Sequence, residues 1–150
     1  MNLRDKINID LKDSMKSGDK VRLETVRSIR ALILEFEKSG SGKEFTDEEG
    51  LRILTVAAKK RKESIEQYKN AGRTDLSDKE EAELKIIEEY LPKQLTLDEI
   101  LIEVKKIADE VGAKGKEDFA KVMPVAAKNL KGKADGKVIR EILEKLLSGN

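Results

Sequence analysis

The sequence predicts an all-α protein: a four-helix N-terminal domain over residues 1–92, then a small three-helix domain over 96–150. Three observations carry this. Apolar residues recur at helical spacing almost throughout, and the strict alternation of a strand never persists. Capping residues open most of these stretches, and glycine closes several of them. The chain is 41% charged and only 3% aromatic, so Leu, Ile, Val and Ala must form the core under a charged skin.

The first helix reads from Leu3 to Lys16, with Leu3, Ile7, Leu11 and Met15 on one face and Ile9 off that stripe, toward a second neighbour. Ser17-Gly18 ends it, and Asp19 caps the next helix. That second helix extends to Lys38 on Val26, Ile29, Ile33 and Phe36. Leu23, Leu32 and Leu34 widen its apolar arc, so it is expected to be the most buried helix. Ser39-Gly40-Ser41-Gly42 is a loop. Thr46 and Glu49 form a capping box for a third helix that stops at Gly72. Ser77 and Glu80 form a second box, opening a short acidic helix that reaches Tyr90. Pro92 forces the residue before it out of helical geometry.

Thr96 and Glu99 form a third box. The helix after it is amphipathic on Leu97, Ile100, Leu101, Val104, Ile107, Ala108 and Val111, and Gly112 ends it. A sixth helix carries Phe119, Val122, Met123, Ala126 and Leu130. Pro124 lies inside it, so a kink or break is expected between Ala120 and Pro124. Asp135 caps a seventh helix built on Val138, Ile139, Ile142, Leu143, Leu146 and Leu147.

Composition removes several chemistries. With no cysteine and no histidine, disulfides, thiolate nucleophiles, the usual zinc ligands and imidazole proton transfer are all excluded. The acid clusters Asp47-Glu48-Glu49 and Glu80-Glu81-Glu83 read as helix-start carboxylates stabilised by the macrodipole, and no metal or cofactor is expected. Ser64 has no histidine to act as its base, and a Ser–Lys arrangement would need a buried neutral lysine that nothing in the sequence indicates. Gly115-Lys116 and Gly132-Lys133 lack the upstream glycine of a phosphate loop. No autonomous enzyme activity is expected. No apolar run is long enough for a membrane span, and the N-terminus has no apolar signal core, which predicts a cytoplasmic protein.

What remains is basic charge. Lys59-Lys60-Arg61-Lys62 spreads around its helix and reads as a solvated face. The C-terminal module is more pointed: Ala113 to Arg140 holds eight cations against three acids, in a chain of net charge +1. Asp78 to Glu89 supplies the balance, with six acids against two lysines. The expected nucleic-acid-binding rim is Lys121, Lys131, Lys133, Lys137 and Arg140. Lys131 and Lys133 flank Gly132 in a loop leading to a helix start, where backbone N–H groups add to lysine charge. Phe119, the sole aromatic there, falls on the apolar stripe and reads as core.

Several runs resemble the YqeY family. They are Arg61-Lys62-Glu63-Ser64, Tyr68, Ala71-Gly72-Arg73-Thr74-Asp75-Leu76 and Tyr90-Leu91-Pro92-Lys93-Gln94-Leu95, with Val26-Arg27-Ser28-Ile29-Arg30-Ala31 similar to the second-helix motif. Lys121-Val122-Met123 and Lys131-Gly132-Lys133-Ala134-Asp135-Gly136 are similar to the C-terminal pattern, although Phe119-Ala120 stands where the family has methionine-glycine. The module also resembles the tail of the GatB subunit of tRNA-dependent amidotransferase. The resemblance implies two helical domains and a link to glutamine-dependent amidation of mischarged tRNA, a carbon–nitrogen ligase system, without that system's catalytic domains. The partners it implies are tRNA or another structured RNA, or alternatively a synthetase or amidotransferase subunit on which the chain docks.

Overall fold

A computed structural model describes residues 1–149, and all regular structure among them is helical. The helices are α1 (Leu3–Ser17), α2 (Lys20–Lys38), α3 (Asp47–Asn70), α4 (Thr74–Glu88), α5 (Leu97–Glu110), α6 (Phe119–Asn129) and α7 (Gly136–Leu147). A 3-10 turn, Lys116–Asp118, leads into α6. The chain divides into two compact units, Met1–Leu91 and Pro92–Asn150.

In the first unit, Ile7, Val26, Ile29, Ile33, Leu54, Ala57, Ala58 and Ile87 form one buried cluster from all four helices. Each fully buried Ile or Leu contributes about 1.5–3 kcal/mol. Gly18, at φ +74°, ends α1, and the Asp19 carboxylate accepts from the Arg22 N–H to open α2. Polar staples join the ends of the unit. The Tyr90 hydroxyl donates to the Asp10 carboxylate, and Arg22 pairs with Glu89 at 2.6 Å. Burial first, and the Asp10 carboxylate second, push the Tyr90 phenol well above its ordinary value.

In the second unit, Ile100, Val104, Ile107, Ala108, Val122, Ala126, Leu130, Ile139 and Leu143 form the core, with Phe119 packed against it. The Thr96–Glu99 capping box is complete in both directions. The Thr46 hydroxyl likewise accepts from the Glu49 N–H, but the Glu49 carboxylate turns to Arg52 at 2.9 Å.

Several expectations are corrected. Ser77 does not cap α4. The helix starts at Thr74, directly after Gly72 (φ +70°) closes α3, so Ser77 is buried within it and its hydroxyl donates to the Thr74 carbonyl. Glu80, Glu81 and Glu83 therefore lie beyond the first turn. Glu81 pairs instead with Lys69, and Glu83 with Arg61. Of the kink or break expected in α6, the break does not occur: the helix continues from Phe119 to Asn129, with Pro124 exposed. Met15, Ile9, Leu34 and Leu97 are exposed although the spacing put them against neighbours. Met15 and Leu97 sit near helix ends, where a stripe overhangs its core.

Candidate nucleic-acid interface

The second unit carries the basic rim. Leu130 ends α6, and the chain reverses through Lys131, Gly132 and Lys133 before Asp135 caps α7. Gly132 is buried with φ +79°, a left-handed conformation that a side chain would strain. Two bonds hold this reversal from behind. The Gln94 side-chain amide donates to the Gly132 carbonyl at 2.7 Å, and the Leu95 N–H donates to the Lys133 carbonyl at 2.9 Å. Gln94 also donates to the Pro92 carbonyl, so the segment entering the unit is braced against the loop.

Lys131, Lys133, Lys137 and Arg140 are all exposed. They follow one another through this loop and the first turns of α7. Lys137 and Arg140, three apart, share a face, while Ile139 and Leu143 are buried. Lys121 is exposed too but stands elsewhere. Lys116 and Phe119, at the start of α6, line a cleft with Glu144, Lys145, Leu147 and Ser148, at the end of α7. The start of α6 thus meets the end of α7, and Lys121 lies at the end opposite the loop. It also sits 3.5 Å from Asp118. The Lys114 N–H, donating to Asp118 at 2.8 Å, holds that carboxyl below its ordinary range, with Lys121 adding to the effect.

Several of the backbone N–H groups expected to help at this helix start are engaged. The Lys133 and Ala134 N–H groups donate to the Leu130 carbonyl, and the Lys137 N–H donates to the Asp135 carboxylate at 2.9 Å. An anion here would meet lysine and arginine side chains, with the Asp135 carboxylate beside them. Sequence reading missed the bracing role of Gln94 and Leu95. Their signal was present in the Tyr90–Leu95 run, but its partner lies 38 residues away.

The motif residues of the first unit are placed as structural ties. In the run Lys59–Lys62 the three lysines are exposed, whereas Arg61 turns inward. Its Nε lies 3.3 Å from the Glu83 carboxylate, and an Nη donates to the Ser28 hydroxyl at 3.4 Å. Arg73 pairs with Asp75, whose carboxyl it holds below the ordinary range. Among the described residues, no group of three or more acidic side chains is placed to share a metal ion, and no helix is long and apolar enough to cross a membrane.

Comparison with known proteins gives a consistent answer. The chain is 34% identical over 131 residues to "Altered inheritance of mitochondria protein 41, mitochondrial" from Pyrenophora tritici-repentis, covering 86% of this chain and 71% of that protein. It is 38% identical over 92 residues to an uncharacterised Schizosaccharomyces pombe protein, covering 61% of this chain and 74% of the relative. A Lachancea thermotolerans protein bearing the first name is 35% identical over 97 residues, covering 64% of this chain and 51% of that one. The family model described as Yqey-like protein matches residues 4–147, nearly the entire chain. The chain belongs to the YqeY-like protein family.

Proposed function

We propose that this protein is an RNA-binding accessory factor whose second unit docks on tRNA or a similarly structured RNA. The carrying observation is the braced loop: Lys131 and Lys133 project from a chain reversal pinned by Gln94 and Leu95, with Lys137 and Arg140 on the adjoining helix face. A pinned loop presents its cations with less ordering cost on binding. The likeness of this module to the tail of the amidotransferase GatB subunit supports tRNA as the ligand and amidation of mischarged tRNA as the setting. The factor has no catalytic step of its own. Residues 96–150 act as a separate domain in this reading, supported by their own core. A cytoplasmic location belongs to the same proposal. Cell fractionation checks it, because two of the fungal relatives described above are named mitochondrial.

The test is tRNA binding by the full chain across a salt series. Phosphate contacts release counterions, so affinity should fall steeply and linearly on logarithmic axes. Absent binding, or a flat salt dependence, rejects the reading. A second reading is favoured by one observation. Leu97, Leu101 and Ile102 of α5 are 65%, 43% and 64% exposed, an apolar edge suited to a protein such as a synthetase or amidotransferase subunit. Docking there would give a negative heat-capacity change and weak salt dependence.

A further inference from the structure

We propose that the cleft between α2 and α3 binds an unbranched aliphatic monocarboxylate of medium chain length, with its carboxylate at the Arg61 end. The cleft holds about 430 Å³, and its apolar wall is Leu32, Phe36, Ile53, Val56 and Ala57. That volume is within the usual range for small-molecule sites. Val56 is 44% exposed, an apolar side chain left open on the lip.

The shape selects the occupant. The Arg61–Ser28 contact marks one end of the cleft, and Ser39 and Arg52 mark the other. Ser28 to Ser39 spans roughly 16 Å of helix at the usual rise per residue. An unbranched hydrocarbon chain of medium length matches that span. An extended peptide is disfavoured, because its backbone N–H and C=O groups require partners, and the helical walls have spent theirs internally. A hydrocarbon chain has no polar backbone to satisfy.

Charge selects the head and its orientation. Arg61 is mostly buried, at 18% side-chain exposure, yet poorly served. Its contacts to Glu83, Ser28 and the Ala57 carbonyl are 3.3, 3.4 and 3.5 Å. Charge-assisted bonds are usually about 2.7–2.9 Å. Its Nε is buried and makes no hydrogen bond among the described residues, the Glu83 carboxylate at 3.3 Å standing out of line with it. Glu83 faces the Nε edge, so a ligand carboxylate approaches the Nη edge beside the Ser28 hydroxyl. Lys60, also lining the cleft, adds positive charge on the lip. Toward the far end, Glu35 repels an anion, and Arg52 is engaged by Glu49 at 2.9 Å.

The experiment is an amide NMR titration of the full chain with dodecanoate below its micelle concentration. Dodecyltrimethylammonium and acetate are the comparators. Dodecanoate should shift resonances of α2 and α3, acetate should not, and the cationic amphiphile should bind at least about tenfold more weakly. Val56→Glu and Lys60→Glu, both at exposed positions, should each weaken dodecanoate at least about tenfold while thermal melting is retained. Should Val56→Glu fail to fold, Lys60→Glu with the comparators still decides. The proposal is overturned by no response to dodecanoate, by equal binding of the two amphiphiles, by shifts centred on Leu97 and Ile102, or by folded variants that bind as the wild type does.

Discussion

The side-chain amide of Gln94 donates to the carbonyl of Gly132 at 2.7 Å, tying the residues that open the second unit to the reversal between α6 and α7. Gln94→Ala should cost about 1 kcal/mol, the usual contribution of one such bond. Amide exchange at Lys133, Ala134 and Lys137 should accelerate more than in α5. Thermal melting and hydrogen exchange check both, and unchanged exchange in the loop would show that Leu95 alone suffices.

Lys131→Ala, Lys133→Ala and Lys137→Ala test the rim. Each should weaken tRNA binding, and the triple variant should flatten the salt slope by up to ~2.7 for three lost phosphate contacts. Melting temperature should barely change, since exposed substitutions usually stay within about ±0.5 kcal/mol. Lys121→Ala should matter least, because Lys121 faces Asp118 at the other end of α6. A folded triple variant with wild-type affinity and slope would transfer the function to the apolar edge of α5.

Tyr90 gives a pH prediction. Its folded-state ionisation is raised by burial and by Asp10. Stability from this group is therefore fully present below the ordinary phenol value of 10.0 and is lost as pH rises above it, toward the raised folded value. Tyr90→Phe should cost about 1 kcal/mol at neutral pH and should remove this part of the alkaline decline. Urea unfolding at neutral and alkaline pH measures it. Parallel declines in both proteins would assign the alkaline loss to other groups.

Arg61 and Glu83 form a pair with only 18% and 13% side-chain exposure. Glu83→Ala strands the guanidinium and should destabilise by about 2–3 kcal/mol, whereas Arg61→Met combined with Glu83→Leu should recover most of that loss. A double variant as unstable as the single would mean that packing, and not stranded charge, sets the cost.

Ser77→Ala separates the two readings of α4. A capping serine would cost about 1 kcal/mol on truncation. A serine inside the helix, bonded back to Thr74, should cost under about 0.5 kcal/mol, offset by the helix propensity of alanine. Circular dichroism melts resolve the difference.

These residues also show where sequence is a sufficient guide. Gly18, Gly72 and Gly112 end helices in left-handed geometry, and Thr96–Glu99 opens one, because each signal acts within a turn of its effect. The Ser77 signal looked identical but was overridden by a neighbour, since Gly72 had already turned the chain for a start at Thr74. Spacing located Ile100, Val104 and Ile107 in the core. It could not show that Leu97, at the head of the same helix, extends past its partners. The rim residues were legible as charge. The inward turn of Arg61 was not, because its partners Ser28 and Glu83 lie many residues away, whereas the spent N–H groups of the loop follow from the local turn at Leu130 and the Asp135 cap.

The Tyr90–Asp10 contact closes the first unit across 80 residues of sequence. During synthesis α1 and α2 emerge early and can pair as neighbours, but Asp10 waits for a partner made near the end of the unit. The growing chain therefore carries an incomplete first domain until Tyr90 clears the ribosome, two residues before Pro92 opens the next unit. Closure of one domain and release of the linker into the other are consecutive events, and slowing translation once Tyr90 has left the ribosome would favour an orderly hand-over between them.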